Sequence, residues 1–139
     1  MINSATVSTE LGLSLVVPDH GPVPLVASLY YSGQDPYAIR MAFHVGTDEP
    51  VEWIFARDLL SGGLEGPAGE GDVQVWPDDE ADSAVLNIAL CSPFGQAHFE
   101  APLAETSEFL KRTYEVISAG HESEFIDLDT ELDALLWRA

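Results

Sequence analysis

Cys91 and His98 stand seven positions apart across the turn Pro93-Phe94-Gly95. A thiol beside an imidazole is the pairing of a cysteine nucleophile and its base, and paired strands would bring the two close. Cys91, however, ends the apolar segment AVLNIALC and is expected to be a small buried thiol. Arg57 and Asp58 adjoin within VEWIFARDLLSGGL. A catalytic role for that pair needs a nucleophile or metal nearby, and the stretch supplies neither. His20, His44, His98 and His121 fall in four separate segments without the paired spacing of metal ligands, His20 and His121 in expected exposed loops. Asp78, Asp79, Glu80 and Asp82 lack the spacing and central glycine of a calcium loop and read as a solvated turn. The chain has no G-x-S-x-G, no glycine-rich phosphate loop and no H-E-x-x-H. No catalytic, cofactor-binding or metal-binding residue is therefore assigned, and no cofactor is expected.

The elements that position these residues follow from hydrophobic period. Alternation over ATVSTELGLSLVV, VPLVASLYYSG, YAIRMAFHVG and VEWIFA predicts four antiparallel strands joined by short turns. In VEWIFA, Val51, Trp53 and Phe55 share one face, and Glu52 and Ile54 the other. Asp58 then stands where a helix N-cap belongs, Leu59 and Leu60 provide apolar contacts, and Gly62-Gly63 is expected to end the helix through positive φ. Arg57 is read as the joint between strand and helix, a partly buried cation whose stem covers the sheet edge. LEGPAGEGD reads as a loop. GDVQVWP, AVLNIALCS and QAHFEAP give three more strands, with Val73 and Val75 on one side and Trp76 on the other.

After Pro102 the period changes. Leu103, Leu110, Tyr114 and Ile117, with Phe109, recur near helical spacing. Pro102 is placed at the first helical position, and Gly120 marks a stop. Leu128, Leu132, Leu135 and Leu136 predict a second C-terminal helix. Trp137 suits either its packing on the sheet or a neighbouring protein. No repeat of fixed period is visible. The chain reads as a single α+β domain over residues 1–139: about seven strands in strongly bent antiparallel sheets, a short helix after the fourth strand and two C-terminal helices.

Charge narrows the partners. The 139 residues hold 24 Asp and Glu against five Lys and Arg, a net charge of −19. Nucleic-acid affinity rests on cations neutralising phosphates. Arg40, Arg57, Lys111, Arg112 and Arg138 form no basic stripe. Trp53, Trp76, Phe43 and Phe55 could stack bases by type, but without cations they are expected in the core. One cysteine fits a reducing cytoplasm. MINSATVSTELGLSLVV has neither a basic start nor a small-residue cleavage site, so no secretory signal is expected. Apolar runs fall well short of the roughly 20 residues that span a bilayer, so no direct membrane insertion is expected. What remains is an interaction protein. Glu52 and the acidic turn around Asp79 are the first positions to test, though the partner-binding surface is unknown at this level.

DPYAIRMAFHVG, VEWIFARDLLSGGL, GDVQVWP, FLKRT and DLDTEL, in this order across most of the chain, resemble the SsgA-like family of sporulation-specific cell division proteins of filamentous actinobacteria. The resemblance implies a non-enzymatic protein that recruits the tubulin-like division protein FtsZ to future septum sites, promotes its polymerisation and works with an SsgA-type partner. It further implies a homotrimer with a fold similar to the Whirly and mitochondrial guide-RNA-binding proteins. Those relatives bind single-stranded nucleic acid, the alternative function here, and the net charge of −19 argues against it. The implied location is cytoplasmic, at the division septum.

Overall fold

The computed structural model describes residues 6–44, 49–78, 84–93 and 95–122. The expected helix over 127–136, Trp137 and the acidic positions from Asp79 to Asp82 lie outside the described residues.

Three long strands open the chain: β1 (Thr6–Leu15), β2 (Val23–Ser32) and β3 (Asp35–His44). Strand β4 (Val51–Ala56) runs directly into helix α1 (Arg57–Gly63). Then come β5 (Ala68–Glu70), β6 (Val73–Asp78), β7 (Val85–Ser92), β8 (Gly95–Pro102) and helix α2 (Leu103–Val116). The chain thus repeats one plan, four antiparallel strands followed by a helix. The strands differ in length between the two halves, which is why no fixed period shows in the sequence.

The strands form one eight-stranded sheet in the order β4-β3-β2-β1-β8-β7-β6-β5. Neighbouring pairs are antiparallel, and the two halves meet where Ser14 pairs with Glu100 and Leu15 with Phe99. Phe43 on β3 and Phe99 on β8 are three strand steps apart, about 14 Å in a flat sheet. Their rings nevertheless stack with centroids 4.5 Å apart, so the sheet curls back on itself. The concave side holds the core: Leu11, Leu29, Met41, Val75, Ile88 and their neighbours, with Leu60 from α1 and Phe109 and Leu110 from α2.

The expected α+β class and bent antiparallel architecture hold, with eight strands where about seven were expected. The extra one is β5, inside the stretch read as a loop. Three residues are too few to display alternation, and Gly69 and Gly71 at φ +125° and +71° look like turn residues in sequence. Alternation places the other faces correctly. Val7, Leu11 and Leu13 turn inward on β1, Phe55 turns inward on β4, and Val73 and Val75 do so on β6.

Three local expectations are corrected. Ala56, not Asp58, occupies the N-cap of α1, and no side chain caps it; Asp58 lies in the first turn, favourable to the helix dipole. The strand ends only at Ala56, so the helix starts one residue earlier than the acid. Pro102 is likewise the N-cap of α2, with Leu103 the first helical residue. Gly62 and Gly63 are not among the positive-φ residues. Gly63 serves close packing instead: a Cβ there would meet Val75 Cγ1 at 2.3 Å and Val75 Cβ at 2.7 Å. Helix α1 therefore lies directly on β6.

Gly63→Ala is expected to destabilise the protein by roughly 1–3 kcal/mol through overpacking, despite the better helix propensity of alanine. Denaturant unfolding measures it. Adding Val75→Ala should recover part of the loss, which a merely conformational role for the glycine would not allow.

Candidate functional site

The residues with chemical potential are placed by strand parity. On β7, Leu86, Ile88 and Leu90 point into the core, which sends Asn87, Ala89 and Cys91 to the convex face. Cys91 is therefore an exposed free thiol, correcting its expected burial. The β7–β8 register pairs Cys91 with Gln96 and His98 with Ala89, so Cys91 and His98 sit diagonally on one face. No hydrogen bond joins them. His98 Nε2 lies 2.8 Å from Asn87 Oδ1, and its ring tilts against Trp76 at a centroid distance of 5.3 Å. Gln96 Nε2 lies 3.9 Å from Cys91 Sγ. The imidazole is held by an amide and an indole rather than by the thiol.

The other histidines stay apart. His44 Nε2 lies 2.9 Å from Ser28 Oγ, and His20 and His121 are exposed as expected. Among the described residues no group of three or more His, Cys, Asp or Glu could hold a metal ion. Phe43 and Phe55 are buried and present no stacking face, while Trp53 and Trp76 are half-buried.

Arg57 departs most from expectation. It is 1% exposed, not partly buried. Nη1 donates to the carbonyls of Thr113 at 3.1 Å and Ile117 at 2.8 Å, and Nη2 donates to Glu122 Oε1 at 2.8 Å. Tyr114 and Tyr31 lie against its Cζ, with ring centroids at 4.2 and 4.9 Å. Thr113 lies in the last turn of α2, where the helix dipole presents negative charge, and Ile117 is the extended C-cap residue that follows it. One guanidinium thus ties the start of α1 to the end of α2 and to the segment beyond it. Its hydrogen bond holds the Glu122 carboxyl below the ordinary carboxylate range. Tyr31 donates to the Pro36 carbonyl at 3.0 Å, and burial pushes its hydroxyl up to about 12. Sequence reasoning misses this cluster because the hydrogen-bond partners lie 56 to 65 positions after Arg57 and Tyr31 lies on a separate strand before it. The only local signal is an arginine between a buried strand and a buried helix. The Tyr31 hydroxyl, the Thr113 hydroxyl and the Glu122 carboxylate are all engaged in hydrogen bonds within the fold.

Among the described residues, two of the open surfaces carry large apolar side chains beside β4. On the convex face, Arg40 lies over the Tyr30 ring at 4.8 Å and pairs with Glu52 at 3.7 Å, beside Ile54, which is 66% exposed. Glu52 is therefore on the exposed face, as the alternation predicted. At the rim of the concave side, a cleft of about 330 Å³ opens between β4 and the β7–β8 hairpin, walled by Phe43, Trp53, Leu90 and Phe99.

The family model for the Streptomyces sporulation and cell division protein SsgA matches residues 25–122. The chain belongs to the SsgA family. It is 58% identical over 130 residues to the sporulation-specific cell division protein SsgB of Thermobifida fusca, covering 94% of each chain. It is 48% identical over 133 residues to SsgB of Streptomyces coelicolor, covering 96% of this chain and 97% of that one. The crystal structure of the SsgA-like sporulation-specific cell division protein from Thermobifida fusca superposes with a TM-score of 0.87 at 57% identity, covering 96% of this chain and 98% of that one. A second solved structure concerns SsgB of Streptomyces coelicolor, mutations in which correlate to longitudinal cell division during sporulation; its TM-score is 0.85 at 46% identity, covering 91% and 99%. The SsgA-family resemblance read from the five sequence blocks is thereby established.

The buried pair gives a pH dependence with a defined sign. Because the folded-state pKa of Glu122 is depressed, its contribution is fully present above the ordinary value of 4.5 and is lost as pH falls through the folded value. Glu122→Gln leaves Arg57 buried without a counter-charge and is expected to cost roughly 3–5 kcal/mol at neutral pH. Urea unfolding at neutral and acidic pH should show the gap between wild type and variant closing below about pH 4.5.

Proposed function

We propose that this protein is a non-enzymatic scaffold of sporulation-specific cell division, one that recruits FtsZ to future septum sites and promotes its polymerisation. The observation that carries this reading is near full-length kinship with SsgB proteins, 58% identity in one case. The site geometry agrees with it. Cys91 and His98 have separate partners, the deeply buried Arg57 is occupied by structural contacts, and apolar and polar side chains stand exposed on the sheet.

The mechanism is one of repeated docking. A homotrimer presents the same surface three times, and weak contacts to a repetitive filament then act at high effective concentration. Subunits held close lose less entropy on joining. The −19 field steers the molecule toward basic features of its partners and away from anionic lipid. Among the described residues no helix is long and apolar enough to cross a membrane. Attachment near the septal membrane is therefore assigned to another protein, with an SsgA-type partner aiding placement in the cytoplasm. The doubled plan of four strands and a helix supports the Whirly-like kinship of the fold.

Sedimentation of FtsZ with GTP, with and without the protein, tests the reading. More pelleted polymer in its presence is expected; an unchanged yield overturns it. Light scattering should give three times the 15.0 kDa chain mass, and a monomer would remove the avidity mechanism while leaving recruitment to be judged by the pelleting.

A further inference from the structure

Strand β4 ends the sheet and, among the described residues, pairs only with β3. An antiparallel edge of this kind directs about half of its backbone N–H and C=O groups outward. Sheets commonly guard such an edge with lysine, proline or a bulge inside the strand. VEWIFA has none of these. Its register against β3 runs without a shift from Ala38–Ala56 to Phe43–Val51, and its one charge is Glu52. Val51 is 50% exposed and Ile54 66%, the most exposed of the large hydrophobics among the described residues. Beside this strand opens the apolar cleft walled by Phe43, Trp53, Leu90 and Phe99.

We propose that the β4 edge is a docking site for an extended segment of a partner protein, which adds as a ninth strand, sends apolar side chains toward the cleft and sets Lys or Arg beside Glu52. Strand addition supplies affinity through the main chain and specificity through alternate side chains. Val51, Trp53 and Phe55 lie on the cleft side, Glu52 and Ile54 on the other, so the incoming strand must alternate to match. Charge selects the occupant. Glu49 is exposed just ahead of the strand, and the chain carries −19 in all. A cationic segment is drawn to that field, whereas VEWIFA of a second copy has no Lys or Arg to set beside Glu52. This deepens the docking reading and rests on it only for who the partner is.

The test uses the intact protein and three short, terminally blocked peptides. One alternates valine with lysine, one alternates valine with glutamate, and the third is the lysine peptide with alternate backbone nitrogens methylated. Amide hydrogen exchange reads the site. The lysine peptide is expected to slow exchange across residues 51–56, and the N-methylated form to bind at least roughly tenfold more weakly because its backbone donors are blocked. Ile54→Lys, at an exposed position, should weaken binding of the lysine peptide while leaving the unfolding midpoint near wild type. Equal binding of the N-methylated peptide, equal binding of the glutamate peptide, protection confined to other residues, or no binding at all would each overturn the proposal. So would protection of 51–56 without peptide that grows with protein concentration, since a second copy would then hold the edge. If the lysine peptide binds as expected while Ile54→Lys promotes FtsZ pelleting as well as wild type does, the edge stands and its occupant is a partner other than FtsZ; if wild type itself fails to promote pelleting, the FtsZ reading alone falls.

Discussion

One buried cation sets the terms for the rest of this molecule. Taking a guanidinium out of water costs several kcal/mol unless every part of it is answered. Here two carbonyls, one carboxylate and two aromatic faces answer nearly all of it, with Nε alone left without a partner. Those partners come from β2, α2 and the segment that follows α2. None can move far without stranding the charge. Arg57 therefore fixes where the second helix ends relative to the first, and α2 in turn covers the concave side on which β1, β7 and β8 depend. The ion pair specifies an arrangement more than it adds net stability, since hydrophobic residues of similar volume could fill the same space.

The sheet's curl and its charge divide the surface into unlike parts. The concave side is filled by side chains from both halves, with Phe43 and Phe99 stacked across it. The convex side keeps Tyr30, Arg40, Glu52 and Ile54 on one half and Asn87, Cys91 and His98 on the other. The interior fixes positions, while Tyr30, Arg40, Glu52, Ile54 and Cys91 stay exposed and Asn87 is buried beneath its neighbours on the convex side. The acidic total adds a field that attracts cations and repels anions around that surface.

Alternation alone makes much of this legible. The faces of VEWIFA and GDVQVWP, the strands ahead of Pro102 and the apolar stripe of α2 follow from periods of two and 3.6 residues. The misreadings have specific causes. Strand β5 is too short to alternate. Cys91 closes a run in which outward Val85 and Ala89 are apolar like inward Leu86 and Leu90, so Asn87 alone marks the outward face ahead of it. Gly63 resembles a helix stop because its partner, Val75, is distant in sequence. The burial of Arg57 depends on Tyr31 from β2 and on residues more than 50 positions later, and no local pattern encodes that. Site recognition divides the same way: the family is readable from five sequence blocks, whereas the Arg57 cluster and the cleft beside β4 emerge only when the sheet curls.

The separation between Arg57 and Glu122 also bears on how the protein is made. A ribosome delivers the first meander and α1 well ahead of the carboxylate 65 residues downstream. Until that carboxylate emerges, the guanidinium has no counter-ion, and it keeps its hydration shell. The early half of the nascent chain is thereby kept from its final packing until the segment that follows α2 has emerged.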